Sequence, residues 1–225
     1  MLFILLTINI IGWLIISFNI FWGLRKIQAL ENADGDHKGP LISIIVPARN
    51  EAHTIRSSIQ SQLDLNYENV EWIIVNDRST DKTGEEIEQI AACDSRIKTL
   101  HLTDLPRGWL GKNHALYQGY LRSHGDLLLF TDADVHFHPE AVSKAAWLLQ
   151  TEKADHLTAA PSLKARGFWL KTFIAFFLFG FSYYKRPWKA NDQHSSIGMG
   201  IGAFNLVTRS AYETIGTHES LRNRP

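Results

Sequence analysis

The stretch "LLLFTDADVHFHPE", residues 127 to 140, sets Asp132 and Asp134 one residue apart directly behind a run of large apolar side chains. Leu127 to Phe130 read as a buried strand and Pro139 opens a helix-like stretch, so both carboxylates fall at a strand-to-loop junction. Alternate residues of an extended chain point to opposite sides, but at a strand end the chain can turn and bring both to one cation. A hard divalent ion such as Mg2+ or Mn2+ takes carboxylate oxygens and keeps positions for phosphate oxygens. An acidic pair therefore makes sense beside a diphosphate, whose charge would otherwise repel it. Two exposed carboxylates in a turn are the plain alternative.

Two earlier apolar runs end in the same way. "LISIIV" (41 to 46) is closed by Pro47 and leads into "PARNE", and "VEWIIV" (70 to 75) leads into "NDRSTD". Continuous β-branched runs suit strands covered on both faces. Between them, the spacing of Ile55, Ile59 and Leu63 predicts a helix over 52–63. "STDKTGEEIEQIAA" then offers a Ser or Asp cap, acidic residues in a first turn, and Ile87, Ile90 and Ala91 on one face. A short strand at 97–100 and helices over 112–123 and 139–150 complete an alternation that predicts a parallel sheet with helices on both faces. In such sheets ligands bind outside the carboxyl ends of the strands. Three strand exits, each bearing an acid that packing does not require, would gather along that edge.

Composition narrows the partners. The chain has 225 residues, 45% of them hydrophobic, enough for one sizeable core. Lys plus Arg balance Asp plus Glu, and the zero net charge argues against a nucleic-acid partner. The single cysteine, Cys93, excludes an internal disulfide and a Cys-based zinc site, and reads as a small buried residue in a helix. His136, His138, His194 and His218 have no ligand spacing and read as surface or loop histidines.

From Met1 to Leu24 there is no charged side chain, and a helix of that length reaches across roughly 30 Å of hydrocarbon. Trp13, Phe18, Phe21 and Trp22 run up to the charged flank, unlike a cleaved signal peptide, so 1–26 reads as a transmembrane anchor. Arg25 and Lys26 follow it while the other flank has no basic side chain, which places the rest of the chain in the cytoplasm behind a single-pass anchor. Residues 27–40 are polar and read as a linker to one domain over 41–225. Within that domain, "FWLKTFIAFFLFGFSYYKRPWK" (168 to 189) is densely aromatic, carries Lys171, and closes on Lys185, Arg186 and Lys189. The segment 168–186 reads as a helix lying in the membrane interface, with a buried core helix as the alternative.

The motif "DADVHF" also admits a haloacid dehalogenase-like phosphatase. In that family the Asp-x-Asp follows the first strand and a later acidic pair holds the metal; here it follows about the fourth, with no adjacent acidic pair after Asp134. Taken together, "SIIVPARNE", "IIVNDRSTDKT", "GWLGKNHALYQG" and "LLLFTDAD" resemble, in order and separation, the family 2 glycosyltransferases over roughly residues 41–220. The resemblance implies the GT-A fold, a Rossmann-like, mostly parallel α/β sheet with helices on both faces, and an inverting hexosyl transfer from a nucleotide-diphospho-sugar. The anchor and the "GWLGK" form look most like the bacterial branch acting on carotenoids or hopanoids, which implies a hydrophobic or lipid-linked acceptor.

Residue by residue, the resemblance puts Pro47, Arg49, Asn50 and Glu51 in the first nucleotide-contacting loop, with Glu51 near the ribose or base. Asp77 matches the acid that hydrogen-bonds the base, with UDP ahead of GDP as the donor nucleotide. Asp134 matches the direct ligand of Mn2+ or Mg2+, and Asp132 meets ribose or metal. Lys112 matches a basic residue facing the donor diphosphate; an ammonium at the positive end of a helix dipole calls for an anion beside it. The general base of this family is an Asp in an acidic pair after a segment like "GIGAFNLVTRSAYETIGTHE". The chain stops at Pro225 without that pair, so the resemblance implies a base beyond Pro225 and a domain cut short, with Glu219, then Asp192, as substitutes. A catalytically incomplete, membrane-tethered nucleotide-sugar-binding module, or a fragment of a longer enzyme, is the alternative function.

Overall fold

The computed structural model describes residues 1–163, 165–192 and 194–224; Pro225, where the sequence-read domain ends, lies outside them. The elements run α1 (Leu2–Leu24), β1 (Ile42–Ala48), α2 (Ile55–Leu63), β2 (Val70–Asp77), α3 (Thr83–Ala91), β3 (Ile97–Leu102) and α4 (Gly111–Leu121). Then come β4 (Leu127–Phe130), α5 (Ala141–Thr151), β5 (His156–Thr158), α6 (Phe168–Lys185), β6 (Asn205–Thr208) and α7 (Arg209–Thr214). Two compact units result, one of Leu30–Ala160 with Ile201–Pro225, the other of Met1–Ala29 with Pro161–Gly200.

The larger unit is built on a six-stranded sheet in the order β3-β2-β1-β4-β6-β5. Strands β1 to β4 pair in parallel, with Ile42 opposite both Val70 and Leu127. The sheet is mostly parallel, as expected, and departs from parallel at one end: β6 runs antiparallel to β4, and β5 antiparallel to β6. Both added strands are too short to carry a legible period, and "NLVT" follows a glycine-rich stretch.

Strand alternation divides the core. Ile42, Ile44 and Val46 of β1, with Trp72 and Ile74 of β2, face α2, α3 and α5. Ile45, Ile73 and Val75 face α4 and α7 on the other side. Fully burying an aliphatic side chain contributes about 1.5–3 kcal/mol, and Ile44, Ile45, Ile73 and Ile74 are all completely enclosed. These continuous apolar runs are therefore two-faced, as covered strands require.

Local expectations shift at the margins. Strand β1 continues through Pro47 to Ala48, and helix α2 starts at Ile55, three residues later than its polar lead-in suggested. The N-cap of α3 is Lys82 rather than the expected Ser or Asp, and Asp81, one residue earlier, accepts the backbone N–H of Thr83 on Oδ1 at 3.0 Å. Cys93 is corrected: it is exposed and lies beyond the end of α3, with its thiol on the carbonyl of Gln89.

The smaller unit holds α1 and α6. Helix α1 is long and apolar enough to cross a membrane. Trp13 of α1 meets Phe179 of α6 with ring centroids 6.4 Å apart, and Gly23 lies directly under the Trp188 ring. Helix α6 leaves Phe168, Trp169, Phe173, Phe176 and Tyr184 exposed, so the bulk of its aromatic surface has no protein cover within the described residues.

Candidate active site

All three acidic strand exits lie at the carboxyl edge of the larger unit's sheet, since β2, β1 and β4 are neighbours and parallel. The first two exits are laced together. Asn50 takes the left-handed conformation (φ 57°), which asparagine tolerates, and its Oδ1 accepts the Thr80 N–H at 2.8 Å. The N–H groups of Asn50, Glu51 and Ala52 donate to Ser79 Oγ, Thr83 Oγ1 and Asp81 Oδ2. Asn50, read from sequence as a nucleotide contact, thus spends its carboxamide oxygen on the second loop. Glu51 is half-buried and accepts from Thr54 Oγ1 at 2.7 Å, Pro47 sits within β1, and Arg49 is exposed.

The second exit carries a fork that sequence reasoning missed. Arg78 also has positive φ (56°), which turns its guanidinium back onto Asp77: Nε donates to Oδ1 at 2.7 Å and Nη2 to Oδ2 at 3.0 Å. Asp77 is only 3% exposed. The hydrogen bond to Asp77 raises the Arg78 pKa further above its ordinary value. Gly111, which opens α4, closes this corner; a Cβ there would stand 2.7 Å from Arg78 Nη2 and 2.9 Å from Asp77 Oδ2, so any side chain at this position would have to displace the fork.

Lys112 follows in the first turn of α4 and forms an ion pair with Asp132. Asp132 is thus the anion that its place on the helix dipole calls for. The loop before β6 completes the corner, because a Cβ on Gly202 would lie 2.8 Å from Asp132 Oδ2 and 3.5 Å from Lys112 Nζ. The turn after β4 is pinned from beneath through its carbonyls: Ser58 Oγ donates to Ala133 O, and Gln62 Nε2 to Val135 O at 3.2 Å. Ala133 is buried while Asp134 is exposed, and the Asp134 side chain makes no hydrogen bond or ion pair with the described residues. No set of three or more His, Cys, Asp or Glu among the described residues forms a metal cage by itself. Two carboxylates with room for phosphate oxygens still fit Mg2+ or Mn2+, which protein sites commonly hold through one or two carboxylates plus substrate.

The segment after α7 returns to α4. Leu110 N–H donates to Arg222 O at 2.7 Å, and Asn113 Nδ2 to the carbonyls of Leu221 and Arg224, both at 2.8 Å. Glu219 on this segment is exposed and accepts from Tyr117 Oη at 3.3 Å. Its neighbour His218 lies in a turn, but its ring is packed between Phe130 and Tyr212, with Nδ1 2.7 Å from Tyr212 Oη. Burial, helped by the Lys112 charge, lowers its pKa to about 4. Asp192 belongs to the smaller unit, where it accepts the His194 N–H at 3.0 Å.

The structure matches a mannosyltransferase of Pyrobaculum calidifontis, solved in complex with GDP-Man and Mn2+, with TM-score 0.69 and 17% identity. The match covers 94% of this chain and 57% of that one, and at this identity it speaks for the fold. The glycosyl transferase family 2 profile matches residues 43–216, and the chain belongs to that family. It is 35% identical over 132 residues to the probable glycosyltransferase YdaM of Bacillus subtilis, covering 54% of this chain and 31% of that relative. It is 28% identical over 134 residues to the 4,4'-diaponeurosporenoate glycosyltransferase of Staphylococcus haemolyticus, covering 60% of this chain and 35% of that one. The chain therefore spans about a third of the length of these curated relatives.

Proposed function

We propose that the chain carries the donor site of an inverting glycosyltransferase, which moves a hexosyl group from a nucleoside-diphosphate sugar to a hydrophobic or lipid-linked acceptor at the cytoplasmic membrane face. The observation that carries this reading is the Lys112–Asp132 ion pair beside the exposed Asp134, which has no partner among the described residues, where three strand exits meet. In the larger unit this is where cation and carboxylates stand ready for a metal-bound diphosphate. Asp134, with Asp132, would hold Mn2+ or Mg2+; when bound, the ion neutralises diphosphate oxygens and the charge that develops on the leaving nucleoside diphosphate. Lys112 then complements the same phosphates.

Asp77 takes the base. Each carboxylate oxygen keeps a second lone pair after Arg78 has bound, enough to accept the ring N–H of uracil or guanine. Uracil is the base we propose first. Arg49 and Glu51 line the rim on the β1 side. The acceptor hydroxyl must lose its proton as it attacks, and Glu219 is the acid we propose for that role within this chain. The lipid acceptor draws support from the relative named for diaponeurosporenoate, and membrane attachment from α1 and from an interfacial segment 168–186, whose helix α6 has exposed aromatic residues.

Calorimetric titration of the detergent-solubilised chain with UDP and GDP, with and without Mn2+, tests the donor site. Metal-dependent binding that is lost in Asp134→Ala is the expected result. Binding unchanged in that variant would remove the metal assignment, and no binding of either nucleotide would remove the donor site.

A further inference from the structure

Beneath the donor corner lies a polar atom that the fold leaves without a partner. His114 is 6% exposed, and its Nδ1 is the one buried side-chain nitrogen or oxygen among the described residues with no hydrogen bond. Buried polar groups of native proteins are paired as a rule, so an orphan invites a ligand-based explanation. Its position points to one. His114 follows Gly111 by three residues in α4 and so shares its face, the face on which Gly111 abuts Asp77 Oδ2 and Arg78 Nη2. Asp77 and Arg78 are engaged with each other and leave the imidazole unsatisfied. Burial pushes the His114 pKa down, against the pull of the Asp77 charge, so the ring is neutral and offers one N–H and one lone pair.

Trp109 belongs to the cover over this ring. Trp109 stands edge-on to His114 with centroids 5.3 Å apart, and stacks on Tyr117 at 5.2 Å. It sits on a turn closed by its own N–H to Pro106 O, beside Gly108 in the left-handed region with open space around it. A flat ring entering at the Asp77–Arg78 fork and displacing Trp109 would meet Nδ1.

We propose that His114 is a specificity-determining residue of the donor pocket, hydrogen-bonding through Nδ1 to the nucleobase that Asp77 and Arg78 receive. This rests on the donor-site reading above. The assignment separates reading of the base from holding of the diphosphate, which falls to Lys112 and the Asp132–Asp134 turn.

The test is calorimetry on the full chain with UDP, GDP, CDP, ADP and inorganic pyrophosphate, all with Mn2+, comparing wild type with His114→Phe and His114→Asn. The Phe variant keeps a buried ring without nitrogen, the Asn variant keeps a polar atom near Nδ1, and thermal melts identify the variant that remains folded. The expected result is that the ratio of best to worst nucleotide falls by about tenfold in His114→Phe, is partly kept in His114→Asn, and that pyrophosphate affinity does not move. An unchanged ratio in a folded variant would overturn the assignment, as would an equal loss for pyrophosphate, which marks a merely structural role. Wild type that binds pyrophosphate as tightly as every nucleotide would overturn base reading while sparing the diphosphate site. Wild type that binds none of the five would overturn the donor site and this assignment with it.

Discussion

The two edges of one sheet use the same residue types in opposite ways. Where the parallel strands begin, Glu71 of β2 is 7% exposed and fully served: Oε1 accepts from Ser43 Oγ and from the His124 N–H, both at 2.6 Å, and Oε2 from Lys98 Nζ at 2.7 Å. Ser43 in turn accepts the Gly125 N–H at 2.8 Å, so one carboxylate ties together β1, β2, β3 and the lead into β4. Where the strands end, Asp132 has a single cation and Asp134 no partner among the described residues. A carboxylate whose lone pairs the protein fills is a structural device; one whose lone pairs stay open is available to a ligand. The contrast separates a carboxylate that holds the strands together from carboxylates left open to a ligand.

The largest expected effect is at the beginning edge. Glu71→Ala strands Lys98 and the His124 and Ser43 donors, and should cost about 3–5 kcal/mol in chemical denaturation; a loss under about 1 kcal/mol would break the comparison. Acid should erode the two regions in sequence. His218, with its pKa lowered to about 4, holds fewer protons folded than unfolded, so its contribution is present above about 6.5 and is lost as pH falls toward 4. Glu71 follows: burial pushes its pKa up, but the hydrogen bonds from Lys98, Ser43 and His124 outweigh this and take it to about 2, so its stabilisation is lost only from about 4.5 downward. Denaturation midpoints between pH 7 and 4 should reflect a loss on the order of 2–3 kcal/mol, and a flat profile would argue against the buried neutral His218.

Smaller effects sharpen the ending edge. Lys112→Ala should change stability by less than about 1 kcal/mol, because the pair with Asp132 is half-exposed, while nucleotide affinity falls by about tenfold. Asp134→Ala should leave stability within about 0.5 kcal/mol of wild type; a larger loss would mean that the fold, not a ligand, uses this carboxylate.

How much of this was legible depends on the range of the interactions. The runs "LISIIV", "VEWIIV" and "LLLF" announced their strands because a covered strand needs only its own apolar residues, and the helical spacings of Ile55, Ile59, Ile87 and Ile90 are equally local. Asp77, Asp132 and Asp134 stood out because acids directly behind such runs have no packing role. Arg78 was hidden inside "NDRSTD", since only its positive φ turns the guanidinium onto the preceding residue. His114 resembled any other residue of an uneven helix until its burial was known. Cys93 was misjudged because its position past the end of α3 depends on where that helix stops.

The sequence by itself determined the strand-and-helix alternation, the family resemblance and the edge at which the strand-exit acids gather, because periodicity and strand-end polarity are properties of neighbouring residues. Tertiary structure alone decided that β6 inserts antiparallel between β4 and β5, that Lys112 pairs with Asp132, and that Gly111 seals the Asp77–Arg78 corner. Each of these depends on side chains or strands distant in sequence meeting in space, and no local pattern encodes which of the possible partners the folded core will bring together.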